Sequence, residues 1–587
     1  MSADKVAVLI LVSLVVAGCF GGPSRNSSGS AGSDSEQQPS SKGPTNSSPP
    51  TTIDLPSGTT PTNPDGFVEP SVRPLRNETL QANVTIDATG RTTLDVPLDV
   101  FLVGFPADLQ PRVQDLLPAL PVVPHYDDPV VGHGAILPLS PTVVFRVHAL
   151  SPEFANRFEE TLRMSSRDAA FLDANHAEAK LAAMLLDEGF AVSQRLPGLV
   201  YLSLATASFG DHAWLYEGEL PAAENPYGYY SNVRVFGGKE PLLVVDTSAR
   251  ADPDPTYGSQ GRAYEGPIAS EDAQLADLLA EQSRSAATNL LYRHLYWPPS
   301  TAACNAITIL YGIRTAAVQD GMPLDSDPRA AIHTDRLMTA FEHLTGRPVF
   351  VDLKVLMLPQ DDAALDAVTR AWSSENYADT LTGLAGGAGV QQVPPVPWEV
   401  DNALLEVVGQ WVDTNWNTAW VPHEGCEGYL AILIWGDGGD APLTFGNGVY
   451  PTEATHRWMV ASFGFAERYL PSVNPYAGNG LGLVDGVTSH EVGHIFGLHH
   501  PHSQYDGQEA WTFSKAIDVM SYPWTGATVE HGVFNAAAYA RGRAGLAIQE
   551  AAAEGRLAPA TDGIVAALAQ WDWEAAAQAA SALKEPT

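Results

Sequence analysis

Positive charge is scarce in this chain of 587 residues. It holds 32 Lys and Arg, only seven of them Lys, against 68 Asp and Glu, for a formal net charge of −36. An excess of that size excludes nucleic acid and anionic lipid headgroups as electrostatic partners. A Lys-poor, acidic surface suits salty surroundings, where screening relieves self-repulsion, although a merely acidic exterior is the plainer reading. Cysteine is nearly absent, with Cys19, Cys304 and Cys426 alone. Long apolar runs are missing too: the 13 residues from Val6 to Gly18, after Lys5, make the one notable stretch. That run is too short to span a bilayer and has the length of a signal-peptide core. No internal repeat is evident.

An apolar fraction of 45% is ordinary for globular protein, and the length exceeds what one core supports. Residues 1–18 read as a signal peptide and 19–66 as a Ser/Gly/Pro/Thr linker unable to bury enough surface to fold. Residues 67–238 read as a first, smaller α/β domain, accessory or pro-domain, with strand-like runs at 100–105 and 200–204. Ser151-Pro152-Glu153 starts a helix there, with Phe154, Phe158 and Leu162 on one face, and a second helix runs over 176–188. His125, His133 and His148 are scattered and read as ordinary histidines. Residues 239–583 read as the second domain. Strands are expected at 242–246, 306–313, 349–358 and 429–435, and helices within 270–297 and at 329–344, 362–373, 402–416 and 455–470. In an exported protein Cys304 and Cys426 can pair, closing a loop worth about 4–5 kcal/mol, or remain two buried thiols.

Chemistry concentrates in His490-Glu491-Val492-Gly493-His494-Ile495-Phe496-Gly497-Leu498-His499-His500. On a helix His490 and His494 lie four apart, so both imidazoles project from one face. Glu491 sits beside them, where a carboxylate reaches a water on a metal held there. Gly497 can end the helix in a left-handed turn and bring His500 back to the same ion. Three neutral imidazoles with one open position suit a catalytic zinc rather than a closed structural one. A surface helix carrying solvated histidines is the alternative. With 16 His in the chain, chance supplies roughly 0.03 occurrences of His-Glu-x-x-His, and about 10⁻⁴ once the glycine and third histidine are fixed. Those odds favour the metal site.

The string resembles the extended motif of the metzincin superfamily of zinc metallopeptidases. Asp518-Val519-Met520-Ser521-Tyr522 resembles that family's methionine-bearing turn, with Met520 as its methionine, although methionine in a short apolar segment is also common core filler. The likeness covers residues 485–522. It implies an α+β, or mixed α/β, catalytic domain with a twisted sheet, an active-site helix, the turn, and C-terminal helices at 534–553 and 561–582 closing its lower half. It further implies one zinc ion on His490, His494 and His500, Glu491 as general base, and Tyr522 supporting the oxyanion unless it is a packed aromatic. Metzincins line the cleft with an edge strand that pairs with extended substrate; residues 429–435 resemble that strand, but their apolar content suits a buried central strand equally. No Cys lies between Cys19 and Cys304, which excludes a thiol from the first domain as a block on the zinc.

Val16-Ala17-Gly18-Cys19 resembles a prokaryotic lipoprotein box, implying lipid on Cys19 and a location outside the cell membrane; a plain secretory signal is the alternative. Asn26, Asn46, Asn77 and Asn83 open glycosylation triplets. Gly436-Asp437-Gly438-Gly439-Asp440 offers carboxylates to calcium or is a bare turn. His499 and His502 are expected not to be ligands. The sequence therefore points to a membrane-anchored zinc endopeptidase acting on protein or peptide. A zinc hydrolase of non-peptide amides or esters, and a surface binding module with a structural zinc, remain open.

Overall fold

The computed structural model describes residues 81–122, 125–126, 135–136, 139–165, 171–190, 192–193, 196–210, 212–215, 235–249, 274–291, 295, 298–314, 332–369, 398–435, 447–449, 456–463, 483–498, 514–516, 519–520, 531–557 and 561–583. In chain order the first part runs β1 (Val84–Ile86), β2 (Thr92–Val103), α1 (Leu109–Asp115), β3 (Leu120–Pro121), β4 (His125–Tyr126), β5 (Ala135–Ile136), β6 (Leu139–Ala149), α2 (Pro152–Ser165), β7 (Phe171–Asp173), α3 (Ala174–Asp187), β8 (Gly198–Leu202), α4 (Thr206–Phe209), β9 (Ala213–Leu215), β10 (Val235–Gly237), β11 (Leu242–Asp246) and α5 (Leu275–Leu291). The rest is β12 (Cys304–Arg314), α6 (Thr334–Thr345), β13 (Val349–Leu358), α7 (Trp398–Ala419), β14 (Cys426–Trp435), β15 (Asn447–Val449), β16 (Arg457–Phe463), α8 (Leu483–Ile495), β17 (Ser514–Ala516), α9 (Val533–Ala553), α10 (Thr561–Leu568) and α11 (Trp573–Ala582). The chain is mixed α/β, as its sequence leads one to expect.

The first sheet has the order β17-β10-β11-β8-β2-β6-β3, with β1 on β2. Its central strand β2 is apolar on both faces because helices cover both. Leu94, Val96, Leu98, Val100 and Leu102 enter one core, and Phe101 and Val103 enter the other. On the second face Asp99 would be a costly buried charge, but Arg146 Nη2 (2.5 Å) and His148 Nε2 (2.7 Å) on β6 meet it. Helix α2 starts as its sequence signals, the Ser151 hydroxyl accepting the Phe154 amide at 3.2 Å, and Phe154, Phe158 and Leu162 are buried.

The division expected at 238–239 falls in the β10–β11 hairpin, whose two strands pair Val235 with Val245 and Gly237 with Leu243 in one sheet. The C-terminal helices, expected to close the lower half of the second domain, pack on the first sheet as well as on the second sheet's core through Tyr539. Residues of α9, α10 and α11 share a core with β2, β6, β8 and α5. Two hydrogen bonds fasten them there: Ala82 N–H to the Ala569 carbonyl and Trp571 Nε1–H to the Asp95 carbonyl, each 3.0 Å.

The second sheet has the order β13-β12-β14-β16-β15, parallel except for β15. Helices α6 and α8 cover one face and α7 the other. Cys304 and Cys426 open β12 and β14 at paired positions, Cα atoms 4.4 Å apart, and form a disulfide. Of the two readings of residues 429–435, the central one holds: β14 lies between β12 and β16, and β15 is the edge strand nearest α8. The helix expected over 455–470 is corrected to strand β16 for 457–463; Trp458, Met459, Val460 and Ala461 are buried there between β14 and β15. Neighbouring strands settle what a short apolar run leaves ambiguous.

Candidate metal centre

Helix α8 carries the site. Its first turn holds Asp485, fully buried, which accepts the His333 backbone N–H at 2.9 Å and His333 Nδ1–H at 2.5 Å. This ties the start of α8 to the start of α6. Val492, Ile495 and Phe496 anchor the apolar side, and the Phe496 ring stacks on Tyr429 of β14 at 4.0 Å. Core packing thus fixes the helix's rotation, and with it the direction in which the opposite face looks.

The helix ends as the glycine predicts. Gly497 adopts φ +101°, its N–H bonds the His494 carbonyl and the Leu498 N–H bonds the Gly493 carbonyl, each at 2.9 Å. These two bonds make the left-handed termination that a side chain with a Cβ would resist. Leu498, now turned back, bridges to Leu295 and presents its carbonyl to His494 Nδ1 at 2.8 Å. The Val519 carbonyl takes His490 Nδ1 at 2.7 Å.

A carbonyl oxygen only accepts, so both Nδ1 atoms carry a proton, and in the neutral ring the lone pair then falls on Nε2. That tautomer is the one required for metal ligation through Nε2, and backbone acceptors of this kind fix the ring orientation of ligating histidines. The rings lie 4.8 Å apart, centroid to centroid, at 89° to one another. Glu491 is buried beside them on the same helix. Two imidazoles oriented in this way would supply two nitrogen ligands of the kind zinc takes, one short of the three protein ligands of a catalytic site.

Val519 and Met520 form a turn beneath this face, and Met520 is fully buried. Gly493 permits its approach, because a Cβ there would stand 2.4 Å from Met520 Sδ and 3.2 Å from His531 Cε1. His531, buried against the Phe341 ring, lies with Nε2 3.5 Å from the Ser489 hydroxyl. The sequence reading passed over Asp485, His531 and the role of Gly493. Only Gly493 left a signal, since an interior helical glycine costs about 1 kcal/mol and calls for a packing reason.

The structure thus brings together His490, Glu491, His494, Val519 and Met520. His500, Tyr522, Cys19, His499, His502 and the Gly436–Asp440 loop lie outside the described residues. Among the described residues no three His, Cys, Asp or Glu side chains form a metal-holding group. His148, expected not to be a ligand, pairs with Asp99. No protein-family model matches the chain, and no curated protein matches it either.

Proposed function

We propose that the chain is a zinc-dependent endopeptidase, exported and held at the outer face of the membrane through lipid on Cys19. What carries this reading is the pair His490 and His494, each with Nδ1–H given to a backbone carbonyl, beside the Glu491 carboxylate on one buried helix face. The ion would be held by His490 and His494, with His500 as the third ligand. Zinc, when bound, supplies a Lewis acid that polarises a carbonyl and acidifies water.

The protein's own groups do the remainder. Glu491 takes the proton of the attacking water and passes it to the leaving amine. Val519 and Leu498, through their carbonyls, keep both imidazoles in the ligating tautomer and resist ring rotation as charge shifts. In the same reading Tyr522, two residues beyond Met520, supports the oxyanion. An extended polypeptide is favoured over a small amide by β15, a strand at the sheet edge in contact with α8, where a substrate chain can add as a further strand. Among the described residues no helix is long and apolar enough to cross a membrane.

The test compares labelled casein with small amides, each with and without chelator. Chelator-sensitive cleavage of casein supports the proposal; cleavage of the small amides alone moves the assignment to a non-peptide hydrolase.

A further inference from the structure

We propose that the first part of the chain, residues 81–246, is a permanent scaffold of the site on α8 and is not shed on maturation. Strand β17 comes from the stretch between His500 and the Val519–Met520 turn, yet it is built into the first sheet. It runs parallel to β10, pairing Ser514 with Val235, Lys515 with Phe236 and Ala516 with Gly237. Three residues beyond Ala516 stands Val519, whose carbonyl orients His490. The turn that sets a ligand's tautomer is thus suspended from a strand of the first sheet.

Two further ties act at the same hairpin. The Gly238 carbonyl accepts the Val533 N–H at 3.3 Å, at the start of α9 and two residues after His531. The Glu178 carboxyl, buried on α3, accepts the Glu240 N–H at 2.6 Å and so holds the hairpin turn. Farther off, Gly90 (φ +80°) lies against α9 so closely that a Cβ would stand 2.8 Å from Ala552 Cβ and 2.9 Å from Gln549 Cα. Loss of the residues before 239 would remove β1, β2, β3, β6, β8 and β10. It would leave β17 without the strand it pairs with and uncover Ile548, Ala551, Ile564, Leu568 and Trp573, all buried against that sheet's core. A marginally stable fold does not survive exposure on that scale.

The inference rests on the zinc reading only for what the held turn does. Its tests read chain mass and amide exchange, so they succeed or fail independently of metal. Native purification of the exported protein, followed by intact mass, is expected to find residues 81–246 and 483–583 in one particle, as one chain or as nicked pieces that separate only on denaturation. A folded particle lacking residues 81–246 would overturn the proposal. Gly90→Ala is expected to speed amide exchange across 545–553 at least tenfold. Unchanged exchange there would show that the two surfaces do not bear on each other.

Discussion

Gly493→Ala tests how the helix face carrying His490 and His494 is supported. On helix propensity alone the change should stabilise α8 by about 1 kcal/mol, since alanine restricts the unfolded chain and glycine does not. The structure opposes this. The new methyl carbon would stand 2.4 Å from Met520 Sδ, well inside contact distance, and 3.2 Å from His531 Cε1. Met520 is fully buried in the core that also holds Val492, Ile495 and Val519, so its sulfur cannot swing into solvent. Overpacking of this kind costs about 1–3 kcal/mol, which offsets the propensity gain and leaves a net loss on the order of 1 kcal/mol. Relief requires Met520 to move, and Val519 beside it carries the carbonyl that holds His490 Nδ1. Loss of such an orienting partner weakens metal affinity by roughly 10–100-fold. Thermal unfolding and competition with a chromogenic zinc chelator read the two effects. Adding Met520→Ala should relieve the clash, so the double variant should fall short of the summed single effects. A Gly493→Ala protein more stable than wild type, with unchanged zinc affinity, would refute the reasoning.

Burial pushes the Glu178 carboxyl up to about 8, desolvation outweighing the hydrogen bonds from the Glu240, Gly238 and Lys239 amides. The folded state therefore holds a proton that the unfolded state releases near pH 4.5, so stability is greatest below that pH and declines as pH rises to about 8. The contribution is on the order of 5 kcal/mol at its limit, and Glu178→Gln should flatten this part of the stability profile in urea titrations; an unaltered slope would contradict it. Replacing Cys304 and Cys426 with Ser opens a loop of sequence separation 122. The loss should approach about 5 kcal/mol in the chain-entropy model, seen as a lower unfolding midpoint; an unchanged midpoint would show the bridge to be idle.

Much of this architecture was legible in the chain. Strands 242–246 and 349–358 fall where their apolar runs place them, and the helix starting after Ser151 is capped by that residue. The helix bearing His490 and His494 and its Gly497 termination also follow from local spacing, because i,i+4 geometry and a positive φ are local properties, whereas the methionine turn was expected only from the metzincin resemblance. What escaped is non-local. Nothing in Ser514-Lys515-Ala516 announces pairing with Val235-Phe236-Gly237, and the three-residue strand is too short to show a period. For the same reason residues 457–463 read as helix until β14 and β15 flank them. The buried acceptors of the imidazole protons are backbone carbonyls, and a carbonyl leaves no trace in a sequence.

Metal analysis of purified wild-type and Glu491→Gln protein, paired with a casein-cleavage assay, tests the central claim most directly. Near-stoichiometric zinc in both, with cleavage in wild type alone, is the expected result. Absence of zinc from the wild type, or cleavage undiminished in Glu491→Gln, would contradict it.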